Sequence, residues 1–381
     1  MMELPGELGR IYQQVQDQGR VESNLETIRP AWEAHLERLR EEAPEVKVSE
    51  GGEVVVLGEL SPGCQACKDG TWDCIFLSNR CNLACPFCYS PQALPEEFAG
   101  SAFGSTPEEI SANHMRTRIT GISFSGGEPF LEPDKLLAWV AAFTSQFPEK
   151  YYWVYTNGLL AERAVLRRLG ELGVQEIRFN TAATGYDHPQ VLQAIELAAQ
   201  YLPHITVEIP AIPGQAGKLL ACLSLWADRG VRFLNLHELI YEPGTNAASL
   251  PGVRQILMTP DGHRTEYNPE SRLLTRAVIK SVRESGLPLS VNDCSMQSKL
   301  RQVRGRRRSL APLTIEKYER LVGDEYFETC AAYRDQEMVY LHPDELEERR
   351  ARLAGWEWVR LRRLAPLEMT GKKEWVEFEW I

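Results

Sequence analysis

Short apolar runs alternate with helix-length amphipathic stretches through the middle of the chain. Runs rich in β-branched and aromatic residues predict six strands, at 73–78, 121–125, 151–156, 176–180, 205–210 and 231–236. Between them, apolar positions recur at helical spacing near 107–118, 133–147, 160–172, 188–201 and 215–229. This βα rhythm predicts parallel strands joined by right-handed crossovers, in either an open doubly wound sheet or a full or partial barrel.

The two ends of the chain lack this rhythm. Residues 1–47 form an amphipathic helical pattern that Pro30 is expected to interrupt, and 51–60 predicts a strand or hairpin. Beyond residue 240 we predict helices near 270–285 and 344–354, and strands at 287–293, 357–364 and 374–380. We therefore divide the chain into an N-terminal helical and cysteine-rich segment (1–71), an α/β core (72–240) and a small C-terminal α+β extension (241–381). We expect the extension to close the mouth of the core.

Charge and hydropathy exclude several classes of partner. A formal net charge of -11 argues against general binding of nucleic acid, which depends on Lys and Arg. No apolar run is long enough to span a membrane, and the N-terminus lacks the apolar core of a signal peptide. We therefore expect a cytoplasmic protein with neither a nucleic-acid nor a membrane partner. A local basic stretch at 299–308 is either a carboxylate or phosphate contact or a solvated face.

Cysteine usage indicates metal or redox chemistry. Nine cysteines, an odd number, argue against a disulfide framework, and six of them fall between residues 64 and 88. Three, spaced C-x3-C-x2-C at Cys81, Cys85 and Cys88, follow the first predicted strand. Thiolates select zinc or iron–sulfur clusters, and such sites usually close with four protein ligands. Three local cysteines leave one iron of a cluster open, unless an upstream cysteine completes a zinc site.

The spacing of this triplet resembles the signature of the radical S-adenosylmethionine (SAM) superfamily. Further matches to that superfamily stand at the ends of successive predicted strands: Gly126-Gly127-Glu128-Pro129, then Thr156-Asn157-Gly158, then Asn180-Thr181. The carboxyl ends of parallel strands are where α/β folds bind their ligands, which supports the resemblance. The resemblance implies a partial (β/α)6 TIM-like barrel.

The same resemblance implies cofactors and a reaction. Cys81, Cys85 and Cys88 would hold an oxygen-sensitive 4Fe–4S cluster whose open iron binds SAM. An electron, from a donor such as flavodoxin or ferredoxin, would cleave SAM to a 5′-deoxyadenosyl radical that abstracts hydrogen from a substrate. The SAM-binding residues that it implies are Phe87, Gly126, Gly127, Glu128, Asn157, Asn180, Glu208 and Asn235. His237 and Glu238 are candidate catalytic residues, because they follow the sixth predicted strand and histidine titrates near neutral pH.

A second metal site is predicted from the remaining cysteines. Cys64 and Cys67 form a CxxC pair that can place two sulfurs on one metal, and Cys74 and Cys294 are the expected further ligands. The site would hold an auxiliary Fe–S cluster or mononuclear iron or zinc. The alternative is that some of these residues are small buried thiols, as we expect for Cys222.

The cysteine-rich segment, with VEIPAIPG and FLNLHEL, resembles radical SAM proteins related to pyruvate formate-lyase activating enzyme. This resemblance favours activation or modification of a protein or peptide. The alternatives are rearrangement of a small molecule, and C-methylation with cobalamin, for which no binding segment is evident. A non-catalytic metal-binding module is a further alternative, but the complete triplet and Glu128 argue against it.

Overall fold

The computed structural model describes residues 6–17, 23–88, 106–114, 117–259, 264–367 and 374–381. The chain folds into two units. The larger contains residues 27–257 and 265–302, and the smaller contains 1–26, 258–264 and 303–381. Within the described residues, no helix combines the length and the apolar character needed to cross a membrane.

Parallel strands form most of the larger unit's main sheet. The strands up to residue 294 are, in chain order, β1 (Lys47–Val48), β2 (Val55–Leu57), β3 (Trp72–Phe76), β4 (Gly121–Ser125), β5 (Tyr151–Thr156), β6 (Glu176–Phe179), β7 (His204–Ala211), β8 (Phe233–Glu238), β9 (Ile240–Tyr241), β10 (Gln255–Met258), β11 (Arg264–Tyr267) and β12 (Ser290–Cys294). Nine of them pair in the order β1-β2-β12-β8-β7-β6-β5-β4-β3. Because β1 and β3 are separate edges of this sheet, the fold is a partial TIM-like barrel, as predicted.

Helices follow the strands as the βα rhythm predicts. They are α1 (Gly6–Asp17), α2 (Leu25–Glu42), α3 (Pro62–Lys68), α4 (Pro107–His114), α5 (Pro133–Gln146), α6 (Arg163–Glu171), α7 (Pro189–Ala198), α8 (Ala216–Ala227), α9 (Ser271–Ser285), α10 (Met296–Thr314) and α11 (Leu346–Arg352). Proline stands in the first turn of α3, α5 and α7, where its fixed φ suits the helix and its missing N–H costs no bond.

Pro30 lies inside α2 rather than between two helices, contrary to our expectation. Burial of Trp32, Leu36 and Leu39 on the following turns offsets the lost hydrogen bond.

The core of the larger unit lies between the sheet and its helices. Its members include Phe124, Val140, Phe143, Leu166, Ile177, Leu234 and Val278. Side chains alternate along each strand, so Ile177 and Phe179 of β6 join this core while Glu176 and Arg178 point to the other face of the sheet. Each fully buried large apolar side chain contributes about 1.5–3 kcal/mol relative to an exposed one. The helices thus cover the outside of the barrel, and polar side chains remain for its interior.

The main sheet extends beyond the predicted core of 72–240 in both directions. Strand β12, predicted at 287–293, pairs parallel with β8, and β2 pairs antiparallel with β12. Within the described residues, the barrel therefore has seven parallel strands rather than the six predicted, and it includes residues from both flanking segments. Closure of its mouth by residues 241–381 stays a prediction.

The smaller unit contains an antiparallel sheet of five strands among its described residues. Its strands are β13 (Arg320–Val322), β14 (Tyr326–Arg334), β15 (Glu337–Leu341), β16 (Glu357–Leu364) and β17 (Glu374–Trp380). Helix α1 contributes Leu8 and Ile11 to a core with Val359, Leu361 and Trp375. The tail is therefore an α+β structure in which Trp375 has a packing role.

Truncation of a core leucine tests this account of the larger unit. Leu234 in β8 is fully buried, whereas Leu273 on α9 is 49% exposed. We expect Leu234→Ala to lower the free energy of unfolding by about 2–5 kcal/mol, because it leaves a cavity. The matched change Leu273→Ala should alter it by less than about 1 kcal/mol. Urea unfolding followed by circular dichroism measures both, and equal losses would contradict the packing described.

Candidate functional site

One cavity of 480 Å³ opens at the carboxyl ends of the parallel strands and reaches into the barrel. Every residue that the sequence identifies as a candidate ligand or catalytic group lines it. These are Cys64, Cys67, Cys74, Cys81, Cys85, Phe87, Cys88, Gly126, Gly127, Glu128, Asn157, Asn180, Glu208, Asn235, His237, Glu238 and Cys294. Their assembly follows from the parallel topology, which brings successive strand ends to the same edge of the sheet. Their individual roles remain predictions.

The cysteine triplet lies in the loop that follows β3. Cys81, Cys85 and Cys88 are each partly exposed. A hydrogen bond from the Cys88 amide to the Cys85 carbonyl (3.0 Å) closes a turn that holds these two cysteines near each other. Burial, with the neighbouring sulfurs, raises the pKa of Cys85 to about 11. Cys85 therefore keeps its proton at neutral pH until a metal displaces it. Three thiols on a single loop wall suit an iron–sulfur cluster with one iron left open.

Two backbone hydrogen bonds join the cysteine loop to the Gly-Gly-Glu-Pro turn after β4. The Gly127 amide donates to the Ser78 carbonyl (2.7 Å), and the Glu128 amide donates to the Arg80 carbonyl (2.8 Å). A Cβ at Gly126 would lie 2.2 Å from the Ser78 carbonyl oxygen, and one at Gly127 would lie 2.0 Å from that of Arg80. Only glycine permits this approach. We call this pair of bonds the loop latch.

The Glu128 side chain binds the protein on both oxygens. One oxygen accepts from the Phe130 amide (3.1 Å) and the Thr156 hydroxyl (2.9 Å), and the other accepts from the Asn157 amide (2.7 Å). Burial raises the pKa of this carboxyl, although these bonds oppose the shift. Glu128 thus ties the Gly-Gly-Glu-Pro turn to the end of β5, while the SAM-binding role implied for it stays a prediction.

Two asparagines complete this end of the cavity. The Asn157 side-chain amide donates to the side-chain oxygen of Asn82 (2.7 Å), which lies between the first two cysteines. The sequence analysis did not single out Asn82, because nothing local marks it as a partner for β5. Among the described residues, the buried side-chain oxygen of Asn180 has no hydrogen-bond partner. A buried acceptor needs a donor, and a ligand hydroxyl or amine in the cavity would supply one.

A buried arginine, also missed from sequence, organises the interior of the barrel. The Arg178 guanidinium donates to Glu176 (2.8 Å) and Glu208 (2.7 Å), and it lies 4.7 Å from the centre of the Trp153 ring. Burial alone would raise the pKa of Glu208, but Arg178 and then His237 hold it well below its ordinary value. The sequence signal for this network is the alternation of polar and apolar residues along β6, which places Glu176 and Arg178 on the same face of the strand.

Glu208, His237 and Cys294 lie on three neighbouring strands of the sheet. His237 Nε2 lies 2.9 Å from a Glu208 carboxylate oxygen, and His237 stands opposite Cys294 in the parallel register of β8 and β12. Burial alone would lower the pKa of His237, but Cys294 and Glu208 raise it to about 9. Burial alone would raise the pKa of Cys294, but His237, then Lys68 and Lys299, lower it to about 6. Cys294 and His237 therefore shift each other's pKa in opposite directions.

The other cysteines of the predicted second metal site differ from Cys294. Cys64 and Cys67 lie on α3, and the Cys64 sulfur accepts from the Asn235 side-chain amide (3.0 Å). Burial raises the pKa of Cys64 to about 11 and that of Cys74 to about 12. Across the described part of the chain, no three His, Cys, Asp or Glu side chains are grouped closely enough to hold one metal ion. The finding covers the cysteine triplet as well, whose thiols are expected to hold a cluster rather than a single ion. A second metal centre stays a prediction.

Glu238, the remaining catalytic candidate, caps a helix. One of its oxygens accepts from the Met296 amide at the start of α10. Burial raises the pKa of Glu238 to about 7. A carboxylate at this position also suits the positive end of the helix dipole. These contacts give Glu238 a structural role beside the cavity.

Comparisons with known proteins show which family part of the chain resembles. Residues 75–218 match the family model of the radical SAM superfamily. A putative glycyl-radical enzyme activating enzyme from Methanocaldococcus jannaschii is 26% identical over 190 residues, which are 48% of this chain and 50% of the relative. The chain thus spans half the length of the curated relative that it matches.

Two solved structures are similar at low identity. SuiB from Streptococcus suis, bound to S-adenosylmethionine, has a TM-score of 0.45 and 11% identity, covering 58% of this chain and 49% of that chain. A radical S-adenosylmethionine methyltransferase from Kitasatospora setae has a TM-score of 0.37 and 13% identity, covering 50% of this chain and 41% of that chain.

A Cβ at Gly127 tests the loop latch. Because the nearest atom would be a backbone oxygen at 2.0 Å, Gly127→Ala must separate the two loops. We expect the variant to lose most of the iron that the wild type retains after anaerobic reconstitution, measured by iron and sulfide analysis. Gly217→Ala is the matched control, since its Cβ would enter open space on α8. Full iron content in a folded Gly127→Ala protein would show that the latch does not position the cysteines.

Removal of the buried guanidinium tests the interior network. We expect Arg178→Met to destabilise the fold by about 3–5 kcal/mol at pH 7, because it leaves buried carboxylates without a counter-charge. Arg168→Met, at a side chain 53% exposed, is the control and should have little effect.

The loss of unfolding free energy in Arg178→Met should depend on pH. The folded pKa of Glu208 is depressed, so its stabilising contribution is complete above its ordinary pKa and declines as pH falls through the folded value. In Arg178→Met, Glu208 loses that depression of its pKa and takes up a proton at higher pH. The gap in unfolding free energy between wild type and variant should therefore narrow as pH falls from 7 toward 4. Urea titrations across this range measure it, and a constant gap would contradict the ionic account.

Proposed function

We propose that this chain, whose residues 75–218 form a radical SAM domain, is an enzyme that binds a 4Fe–4S cluster through Cys81, Cys85 and Cys88 and cleaves SAM reductively. When bound, these cofactors supply an electron and a 5′-deoxyadenosyl radical that takes hydrogen from the substrate. The observation that carries the proposal is that the three thiols and the latched Gly-Gly-Glu-Pro turn line one cavity.

Some residues of the chain are expected to contact SAM directly, and others to hold the surrounding loops. We expect backbone groups at Gly126 and Gly127, together with the unpartnered oxygen of Asn180, to contact SAM. Phe87 is buried at the cavity wall, where its ring is suited to packing against the adenine. Glu128 and Asn157 hold the surrounding loops in place through the bonds described above. Walls of this kind exclude water and so protect a reactive radical.

A protein or peptide is the substrate class that we favour. The support is the curated relative, whose name describes an activating enzyme for glycyl-radical enzymes. A small molecule is the second candidate, because a cavity of 480 Å³ is within the range of about 300–1,000 Å³ that small-molecule sites occupy. An electron donor such as flavodoxin or ferredoxin would be the further partner.

Formation of 5′-deoxyadenosine tests the proposed chemistry. Protein reconstituted anaerobically with iron and sulfide is mixed with SAM and dithionite, and the nucleoside is measured by mass spectrometry. We expect the wild type to form it and Cys85→Ala to form none, because the cluster loses a ligand. Cys222→Ala is the control, since Cys222 packs on α8 within the apolar core. Cleavage that survives in Cys85→Ala, or a protein that takes up only zinc, would contradict the proposal.

Fractions of a cell extract distinguish the two substrate classes. A macromolecular fraction and a small-molecule fraction are added separately to the same assay. If the substrate is a protein or peptide, the macromolecular fraction should raise the rate of nucleoside formation and protease treatment should remove the effect. Stimulation confined to the small-molecule fraction would favour the second candidate.

A further inference from the structure

The basic stretch at 299–308 contributes one lysine to the cavity. Arg301 of this stretch forms ion pairs with Glu53 (3.5 Å) and Asp69 (3.6 Å). Lys299, two residues earlier on α10, is half-buried and lines the cavity. Within the described residues, the Lys299 ammonium has neither an ion pair nor a hydrogen bond. Of the two interpretations that the sequence left open for this stretch, Lys299 therefore fits a contact with an anion.

A second lysine reaches the same wall from α3. Lys68 is the last residue of α3, is only 1% exposed and also lines the cavity. Its ammonium donates to the hydroxyl of Ser298, the residue directly before Lys299 on α10. No carboxylate in the described part of the chain forms an ion pair with Lys68. Burial of a charge without a counter-charge is costly, so this ammonium needs an anion that the chain itself does not provide.

The other charged side chains at the cavity already have partners. Arg178 pairs with Glu208 (2.7 Å), and the oxygens of Glu128 accept three hydrogen bonds. Glu238 accepts from the Met296 amide. The two lysines are therefore ammonium groups on one wall that no carboxylate of the described chain neutralises.

We propose that Lys68 and Lys299 form a subsite that binds a carboxylate of the substrate. The inference rests on the proposed function, in which the substrate is a protein or peptide, because acidic side chains and the C-terminus are the anionic groups of an unmodified peptide. Each ammonium has three donors on a flexible stem, so both can reach the oxygens of one carboxylate. Gln302, one turn after Lys299 on the same face of α10, also lines the cavity and adds an amide donor.

This subsite is separate from the groups expected to contact SAM. Gly126 and Gly127 follow β4, and Asn180 follows β6. Lys299 follows β12, which β7 and β8 separate from β6 in the sheet. A substrate held by its carboxylate on the β12 side of the cavity can present its reacting carbon toward the strand ends that hold SAM.

Binding of radiolabelled glutarate tests the subsite. Equilibrium dialysis is performed anaerobically at low ionic strength on the reconstituted protein, with and without SAM and without a reductant. We expect glutarate to bind and the uncharged analogue glutaramide not to displace it. Lys68→Met and Lys299→Gln should each weaken glutarate binding about tenfold or more, because each removes a charge-assisted hydrogen bond.

Matched variants separate a local subsite from a general effect of charge. Lys280→Met removes a lysine that is 51% exposed on α9, and it should bind glutarate as the wild type does. Lys299→Arg keeps the charge and should retain most of the binding. No binding to the wild type, or equal weakening in Lys280→Met, would overturn the proposal. Inorganic phosphate that binds more tightly than glutarate would overturn the assignment to a carboxylate.

The burial of Lys68 supplies a second readout. Without glutarate, Lys68→Met should unfold at a urea concentration no lower than the wild type, because it removes a buried charge that no carboxylate matches. Glutarate should raise the midpoint of the wild type but not that of the variant. A marked fall of the midpoint in ligand-free Lys68→Met would show a structural role and contradict the proposal.

Two other anions are alternatives at this wall, and the same samples test both. Lys68 follows Cys67, an expected ligand of the second metal site. If the lysines matched a thiolate-bound metal centre, Lys68→Met would retain less iron than the wild type, which would overturn the proposal. Displacement of glutarate by SAM would assign the lysines to SAM and overturn it as well. The readouts are glutarate binding and iron content rather than SAM cleavage, so failure of this subsite is distinguishable from failure of the radical chemistry.

Discussion

The Arg178 guanidinium is the constraint from which the interior of the barrel is built. It is permanently charged and only 3% exposed, so it must be matched by buried carboxylates. Glu176 and Glu208 supply them, and the second oxygen of Glu208 then orients His237 beside Cys294. The same guanidinium leaves no room for a side chain at Gly63 of helix α3, because a Cβ there would lie 2.4 Å from it. The buried charge of Arg178 thereby positions side chains at the base of the cavity and along one of its walls.

The opposite end of the cavity depends on backbone rather than on charge. The loop latch holds the cysteine loop against the Gly-Gly-Glu-Pro turn through two amide–carbonyl bonds, and Glu128 extends the connection to β5. Backbone bonds of this kind fix position without adding a charge near the thiols. The cavity therefore combines a neutral, sulfur-rich end with a charged, hydrogen-bonded end.

Local sequence patterns predicted much of this arrangement. The βα rhythm, the triplet and the strand-end motifs placed the candidate residues where the structure gathers them, since parallel strands share a carboxyl edge. Contacts between distant segments were not predictable in the same way. The pairing of β12 with β8 places Cys294 opposite His237, a neighbour that the cysteine spacing alone does not indicate. Asn82 meets Asn157 only because two loops converge, and local periodicity does not encode which loops do so.

Electron paramagnetic resonance of the reduced cluster tests most directly whether Cys81, Cys85 and Cys88 hold a 4Fe–4S cluster with one open iron. Spectra are recorded on the reconstituted, dithionite-reduced protein before and after addition of SAM. If SAM binds the open iron, the g values of the cluster signal must change, and Cys88→Ala must lose the signal. A cluster signal that is identical with and without SAM would contradict the account, as would a protein that binds zinc and gives no signal.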